Sequence, residues 1–123
     1  MKLHSSLLFP SRRRRPYFDG WDTSKADFAA SCESCGANIA VPFAQVLAGA
    51  WGWRERFGPD VVVAVESHFA LGAGRKALDG GWPSISQVSC GSCGANHVFY
   101  ADFDEYRNSV YRIVAQGLAS YVV

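Results

Sequence analysis

The chain has no apolar run near the roughly 20 residues that a membrane-crossing helix requires. That predicts no membrane span. It has one methionine and three histidines, His4, His68 and His97, too few and too scattered for a histidine-rich metal site. No Gly-x-Gly-x-x-Gly and no Walker spacing occurs, so the common phosphate-cradling loops are excluded. Net charge is close to zero at +1, which excludes a uniformly basic nucleic-acid coat. The short apolar piece at Leu7–Phe9 precedes an arginine run, the reverse of a secretory signal. With reduced thiols, this predicts a cytoplasmic protein.

Four cysteines are present, and all lie in one repeated motif. Residues 32–38 read Cys-Glu-Ser-Cys-Gly-Ala-Asn, and residues 90–96 read Cys-Gly-Ser-Cys-Gly-Ala-Asn. A Cys-x-x-Cys turn sets two sulfurs on one side of a tight loop. Two such turns supply the tetrahedral four-thiolate set of structural zinc. Gly36 and Gly94 follow the second cysteine of each pair, where the turn calls for a positive φ. Ser34 and Ser92 inside the loops, and Asn38 and Asn96 at the exits, are ordinary turn residues. Four thiolates close the coordination shell, so the predicted site is structural, with one zinc per chain held by Cys32, Cys35, Cys90 and Cys93.

The paired Cys-x-x-Cys-Gly knuckles resemble those of the zinc-ribbon class and, more distantly, of rubredoxins. The resemblance covers Cys32, Cys35, Gly36, Cys90, Cys93, Gly94 and their flanks. It implies a pseudo-two-fold site with each knuckle at the tip of its own β-hairpin. The 54 residues between Cys35 and Cys90 are longer than the insert of a compact ribbon. Two disulfides in an exported protein are an alternative, as is iron in the same four sulfurs. A single thioredoxin-like redox site does not account for two matched copies.

At 123 residues with nearly half apolar, the chain is expected to form one domain with its own core, residues 1–123. Residues 1–23 form a basic arm and residues 42–84 an insert between the knuckles. Residues 1–17 carry five basic residues, Lys2 and Arg12 to Arg15, and no acid. The remainder carries seven basic and eleven acidic residues.

Residues 27–32 and 38–41 read as the strands of the first hairpin. Pro42 suits a helix start. Phe43, Val46, Leu47, Ala50, Trp51, Arg54 and Phe57 recur at helical spacing up to Gly58-Pro59. Gly49 and Gly52 weaken that helix and invite close approach of another backbone. Trp53 falls off the stripe, either exposed or covered by the insert. Residues 61–65, Val-Val-Val-Ala-Val, read as a strand, with a buried helix from Asp60 as the competitor. Residues 85–90 lead into the second knuckle and His97 to Phe103 lead out. Asp104 to Asn108 turn the chain, and Ser109 to Leu118 return, with a bulge or strand end at Gln116-Gly117. The expected class is α+β: antiparallel hairpins and a meander joined by a four-cysteine zinc site, with a helix-containing insert.

Outside the knuckles the candidates are sparse. His97, four residues past Cys93, is either a donor to a cysteine sulfur or a half-exposed strand residue. Glu66 and His68 would share a strand face as an acid/base pair, but no nucleophile accompanies them. Arg12, Arg13, Arg14 and Arg15 could contact nucleic-acid phosphates, helped by Tyr17, Phe18 and Trp21, or form a solvated arm over the acidic body. Gly72, Gly74, Arg75 and Lys76 could hold a phosphate or form a plain loop. Asp102, Asp104 and Glu105 could bind a cation or mark a charged turn. The favoured function is a zinc-stabilised, non-catalytic module whose insert binds a protein partner. Nucleic-acid binding through the arginines and iron-based electron transfer are the alternatives.

Overall fold

A computed structural model describes residues 2–4, 17–21, 27–71, 81–107 and 110–122. In chain order these form β1 (Lys2–His4), β2 (Tyr17–Trp21), β3 (Asp27–Ser31), β4 (Asn38–Pro42), α1 (Phe43–Gly49), α2 (Trp53–Arg56), α3 (Pro59–Phe69), β5 (Trp82–Ser89), β6 (Asn96–Arg107) and β7 (Val110–Val122). The class is α+β, with antiparallel strands throughout. β5, β6 and β7 make the expected three-stranded meander. β1 and β2 extend it on the far side of β7, at opposite ends of that strand. β3 and β4 form a separate two-stranded hairpin.

The meander is covered on both faces, and strand alternation sorts its side chains between them. On one face, Phe99, Ala101, Phe103, Ile113 and Leu118 pack against Phe28, Ile39 and Val41 of the hairpin and Phe43 and Val46 of α1. On the other, Ile85, Val98, Tyr100 and Ala119 pack against Trp53, Leu71 and, from α3, Val65 and Phe69. The pairing of β6 with β7 runs Tyr100↔Gly117 and then Ala101↔Ala115. Gln116 is therefore the extra residue of a bulge, as Gln116-Gly117 suggested. The bulge resets the alternation, so that Leu118 faces the hairpin opposite Phe99. The buried Gln116 amide donates to the Val114 carbonyl at 3.1 Å.

Helix α1 lies along the outer edge of β5. Gln45 donates its side-chain amide to the Gln87 carbonyl at 2.8 Å, and Ser84 donates to the Val46 carbonyl at 2.6 Å. A Cβ at Gly49 would lie 2.7 Å from the Ile85 carbonyl oxygen, closer than atoms can sit. Gly49 thus permits the close approach foreseen for it. The insert so covers a strand edge that would otherwise offer unpaired backbone groups.

Four expectations are corrected. The helix from Phe43 does not run to Phe57. Gly52 adopts φ 66° and splits it into α1 and α2. At the break, Trp51 of the expected apolar stripe is 56% exposed, while Trp53 is buried, the covered one of its two readings. Residues 61–65 are helical, not a strand. Pro59 sits in the first turn of α3, where its missing N–H is not needed. Burying Val65 and Phe69 contributes about 1.5–3 kcal/mol each. That outweighs the helix cost of the valines, about 0.5 kcal/mol apiece relative to alanine. Finally, β6 continues to Arg107 instead of turning from Asp104. A register shift between Glu105 and Arg107 leaves Tyr106 as a second bulge.

Candidate metal centre

The two knuckles have the same local geometry. In each, the first cysteine's carbonyl accepts from the following glycine: Gly36 N–H to Cys32 and Gly94 N–H to Cys90, both 2.9 Å. The first cysteine's N–H closes the loop onto the alanine carbonyl, Ala37 at 2.8 Å and Ala95 at 2.9 Å. Gly36 and Gly94 share φ 76°, and neither would meet an atom within 4 Å if given a Cβ. Backbone conformation, not space, therefore demands glycine there. Ser34 N–H points at the Cys32 sulfur at 3.3 Å and Ser92 N–H at the Cys90 sulfur at 3.4 Å.

All four sulfurs lie within 4.8 Å of one another. Sγ of Cys32 is 3.6 Å from Sγ of Cys93, and Sγ of Cys35 is 3.6 Å from Sγ of Cys90. A zinc ion with bonds of about 2.3 Å to four sulfurs sets them about 3.8 Å apart. The cluster therefore fits a tetrahedral thiophilic ion. Cys32 and Cys90 are buried, and Cys35 and Cys93 are exposed at the rim.

Without a cation, four neighbouring sulfurs cannot all carry charge. N–H groups of Cys93 and Ser92 hold Cys90 down to about 6. Burial opposes ionisation of Cys32, but the N–H groups of Cys35 and Ser34 outweigh it, and Cys32 too lies below the ordinary thiol value. Ala37 N–H favours the Cys35 thiolate, yet the neighbouring sulfurs of Cys93 and Cys90 push it up to about 12. At Cys93, Ala95 N–H is likewise overcome by the Cys32 sulfur, and the thiol is raised. The metal-free centre thus favours charge on the two buried sulfurs, most of all on Cys90, and keeps the proton on the two rim sulfurs. A divalent ion must displace the rim protons, because thiolates are the ligands. Loading at pH 7.5 is expected to release at least the two rim protons, of Cys35 and Cys93, so affinity rises with pH. Calorimetric titration with zinc in buffers of different ionisation enthalpy measures this number. A value near zero would contradict the charge pattern.

The knuckles are tied together by a residue whose role differs from both readings of the sequence. His97 is fully buried, not half-exposed. Neither of its ring nitrogens is bonded to a sulfur. Nδ1 lies 3.1 Å from the Ala95 carbonyl of its own knuckle. Nε2 lies 3.4 Å from the backbone N–H of Glu33 in the other. A carbonyl can only accept and an N–H can only donate, so the ring carries its proton on Nδ1. Glu33 is the one position at which the two motifs differ, against Gly91. Its carboxylate accepts from Ser120 of β7 at 3.2 Å. Sequence reading missed Glu33 and Ser120, although the mismatch in an otherwise identical repeat was the available signal.

Among the described residues, the remaining candidates do not assemble into a site. Glu66 and His68 lie on a helix, where residues two apart do not share a face. Glu66 pairs with Arg54 at 3.1 Å, and the His68 ring stands edge-on to Phe69. Asp104 pairs with Arg112 at 3.2 Å, and buried Asp102 accepts from Gly81 N–H at 2.7 Å. Arg12 to Arg15 and the Gly72–Lys76 loop fall outside the described residues, as do the side chains of Tyr17, Phe18, Trp21 and Glu105. No helix among the described residues is long and apolar enough to cross a membrane. Comparison with protein-family models, curated proteins and solved structures finds no match to the chain.

Proposed function

We propose that the protein is a small zinc-binding module that acts by contacting a protein partner and carries out no chemistry at the metal. The closed set of four sulfurs supports this reading most. Four thiolates fill a tetrahedral shell and leave no position for water or substrate. Zinc is then a structural clamp between the β3–β4 hairpin and the meander, and thiol-based ligation favours a reducing compartment such as the cytoplasm. Iron would use the same sulfurs and would give a coloured protein. Elemental analysis of protein purified without added metal separates the two.

On this reading the partner surface is the insert. Trp51 and Trp82 are 56% and 51% exposed, an unusual outlay of large aromatic surface. Trp82 lines a cleft of about 220 Å³ with Ala50, Gly52, Trp53, Arg54, Glu55 and Pro83. Tryptophan beside arginine is the composition that dominates protein-binding energetics. Arg54 already stacks over Trp53 at 4.3 Å, which gives the cleft a fixed wall. The double replacement Trp51→Ala/Trp82→Ala should keep one zinc per chain and weaken partner capture at least tenfold in quantitative affinity purification. An unchanged set of captured proteins would move the interface elsewhere. Capture of nucleic acid that falls steeply with salt would transfer the function to the arginine arm.

A further inference from the structure

The four cysteines are not equivalent, and their arrangement crosses the knuckles. Each exposed sulfur stands 3.6 Å from a buried sulfur of the opposite knuckle, Cys35 beside Cys90 and Cys93 beside Cys32. The exposed member of each pair can meet a small oxidant from solvent. The buried member is then already placed to react with it. Closing either pair to a disulfide requires an approach of about 1.5 Å between the sulfurs. Within each knuckle the buried sulfur accepts from a serine N–H, Ser34 to Cys32 at 3.3 Å and Ser92 to Cys90 at 3.4 Å.

We propose that this centre is also a modification site for hydrogen peroxide. Oxidation expels the metal and leaves two cross-knuckle disulfides, Cys35–Cys90 and Cys32–Cys93. The inference rests on the zinc reading above. In the first step the Cys35 thiolate attacks one peroxide oxygen. The O–O bond breaks, hydroxide leaves and Cys35 becomes a sulfenic acid. The Cys90 thiolate then attacks the Cys35 sulfur, the S–S bond forms, and a second hydroxide leaves. Cys93 and Cys32 repeat the sequence with a second peroxide. In sum, four thiolates are oxidised, two peroxides are reduced to four hydroxides, and one zinc ion is freed.

The outcome differs from simple demetallation. The bridges join positions 55 and 61 residues apart, and both pin the β3–β4 hairpin to the meander. The oxidised chain therefore keeps the constraint that zinc supplied. The centre would report oxidant by releasing zinc without unfolding.

The test uses the full chain loaded with zinc and assayed for it beforehand. Two equivalents of hydrogen peroxide are added, and a chromogenic chelator reports released zinc. Remaining thiols are alkylated and the protein is digested with trypsin without reduction. Cys32 and Cys35 fall on one peptide, between Lys25 and Arg54, and Cys90 and Cys93 on another, between Lys76 and Arg107. The expected result is one zinc released per two peroxides and the two peptides joined. Fragmentation between Cys32 and Cys35 should assign Cys35–Cys90 and Cys32–Cys93. The oxidised protein should keep a cooperative thermal transition that chelator-stripped, reduced protein loses. Separate peptides, each bridged internally, would overturn the proposal, and so would sulfinic acids without disulfides or zinc retained in tenfold excess peroxide. A chain that takes up no zinc at the outset would instead remove the metal reading itself, and this inference with it.

Discussion

Cys32→Ser will lose its metal and most of its stability together. Serine does not ionise near neutral pH, so the substitution leaves three thiolates where the ion needs four. Sγ of Cys32 stands 3.6 Å from Cys93 across the site, so the loss is felt by both knuckles. Structural zinc contributes on the order of 10 kcal/mol of binding free energy in small domains, comparable with the whole net stability of a domain. Even a loss of about 5 kcal/mol, at about 4 °C per kcal/mol for a chain of this size, lowers the thermal midpoint by about 20 °C. Cys35→Ser, Cys90→Ser and Cys93→Ser should behave alike, and a strong chelator should bring the unmodified protein to the same state. Metal analysis and a thermal melt on the same sample decide it. A Cys32→Ser protein that kept both its metal and its midpoint would show that the knuckles do not share one ion.

His97→Ala should be the most damaging substitution that leaves all four sulfurs in place. It empties a fully buried ring site and strands one backbone donor, the Glu33 N–H, while the Ala95 carbonyl keeps its bond from the Cys90 N–H. Ring truncation in a core costs about 3 kcal/mol, and an unsatisfied buried polar group adds about 1–3 kcal/mol. The expected loss is thus about 4 kcal/mol, with zinc affinity lowered by about tenfold because the knuckles are no longer held in register. His97→Gln, which can both donate and accept, should recover part of each. Chemical denaturation and a competitive zinc titration measure the two effects separately. If stability fell while affinity stayed unchanged, the ring would be a core residue and no tie between the knuckles.

Legibility followed the range of the forces involved. The knuckles were readable because a Cys-x-x-Cys-Gly turn is made by its own residues: the φ of Gly36 and Gly94, the loop-closing bonds to Ala37 and Ala95, and the N–H contacts to sulfur are all local. The hairpin strands and the meander were readable because alternation survives in the chain. The bulge at Gln116 was readable because a glycine follows it. The continuous helix over 43–57 failed at one residue. Apolar spacing spoke for continuity, yet Gly52 adopts a left-handed conformation that ends a helix at little cost. Residues 61–65 failed for another reason: a run of five apolar residues fits a strand and a buried helix equally well, and only its neighbours decide.

From the sequence alone came the four-cysteine cluster, because two thiolates are an incomplete ligand set for one ion, and the α+β class with a hairpin at each knuckle, because these depend on turns a few residues long and on a period of two. Tertiary structure alone decided the rest. It placed Phe69 5.0 Å from Tyr100, and so made residues 59–69 a helix across the back of the meander. It laid α1 on the edge of β5 through Gly49. It brought Glu33 to His97, 64 positions away, and so turned a plain strand histidine into the link between the knuckles. A side chain's partner across such distances is set by how whole elements pack. The chain near each residue holds no record of it.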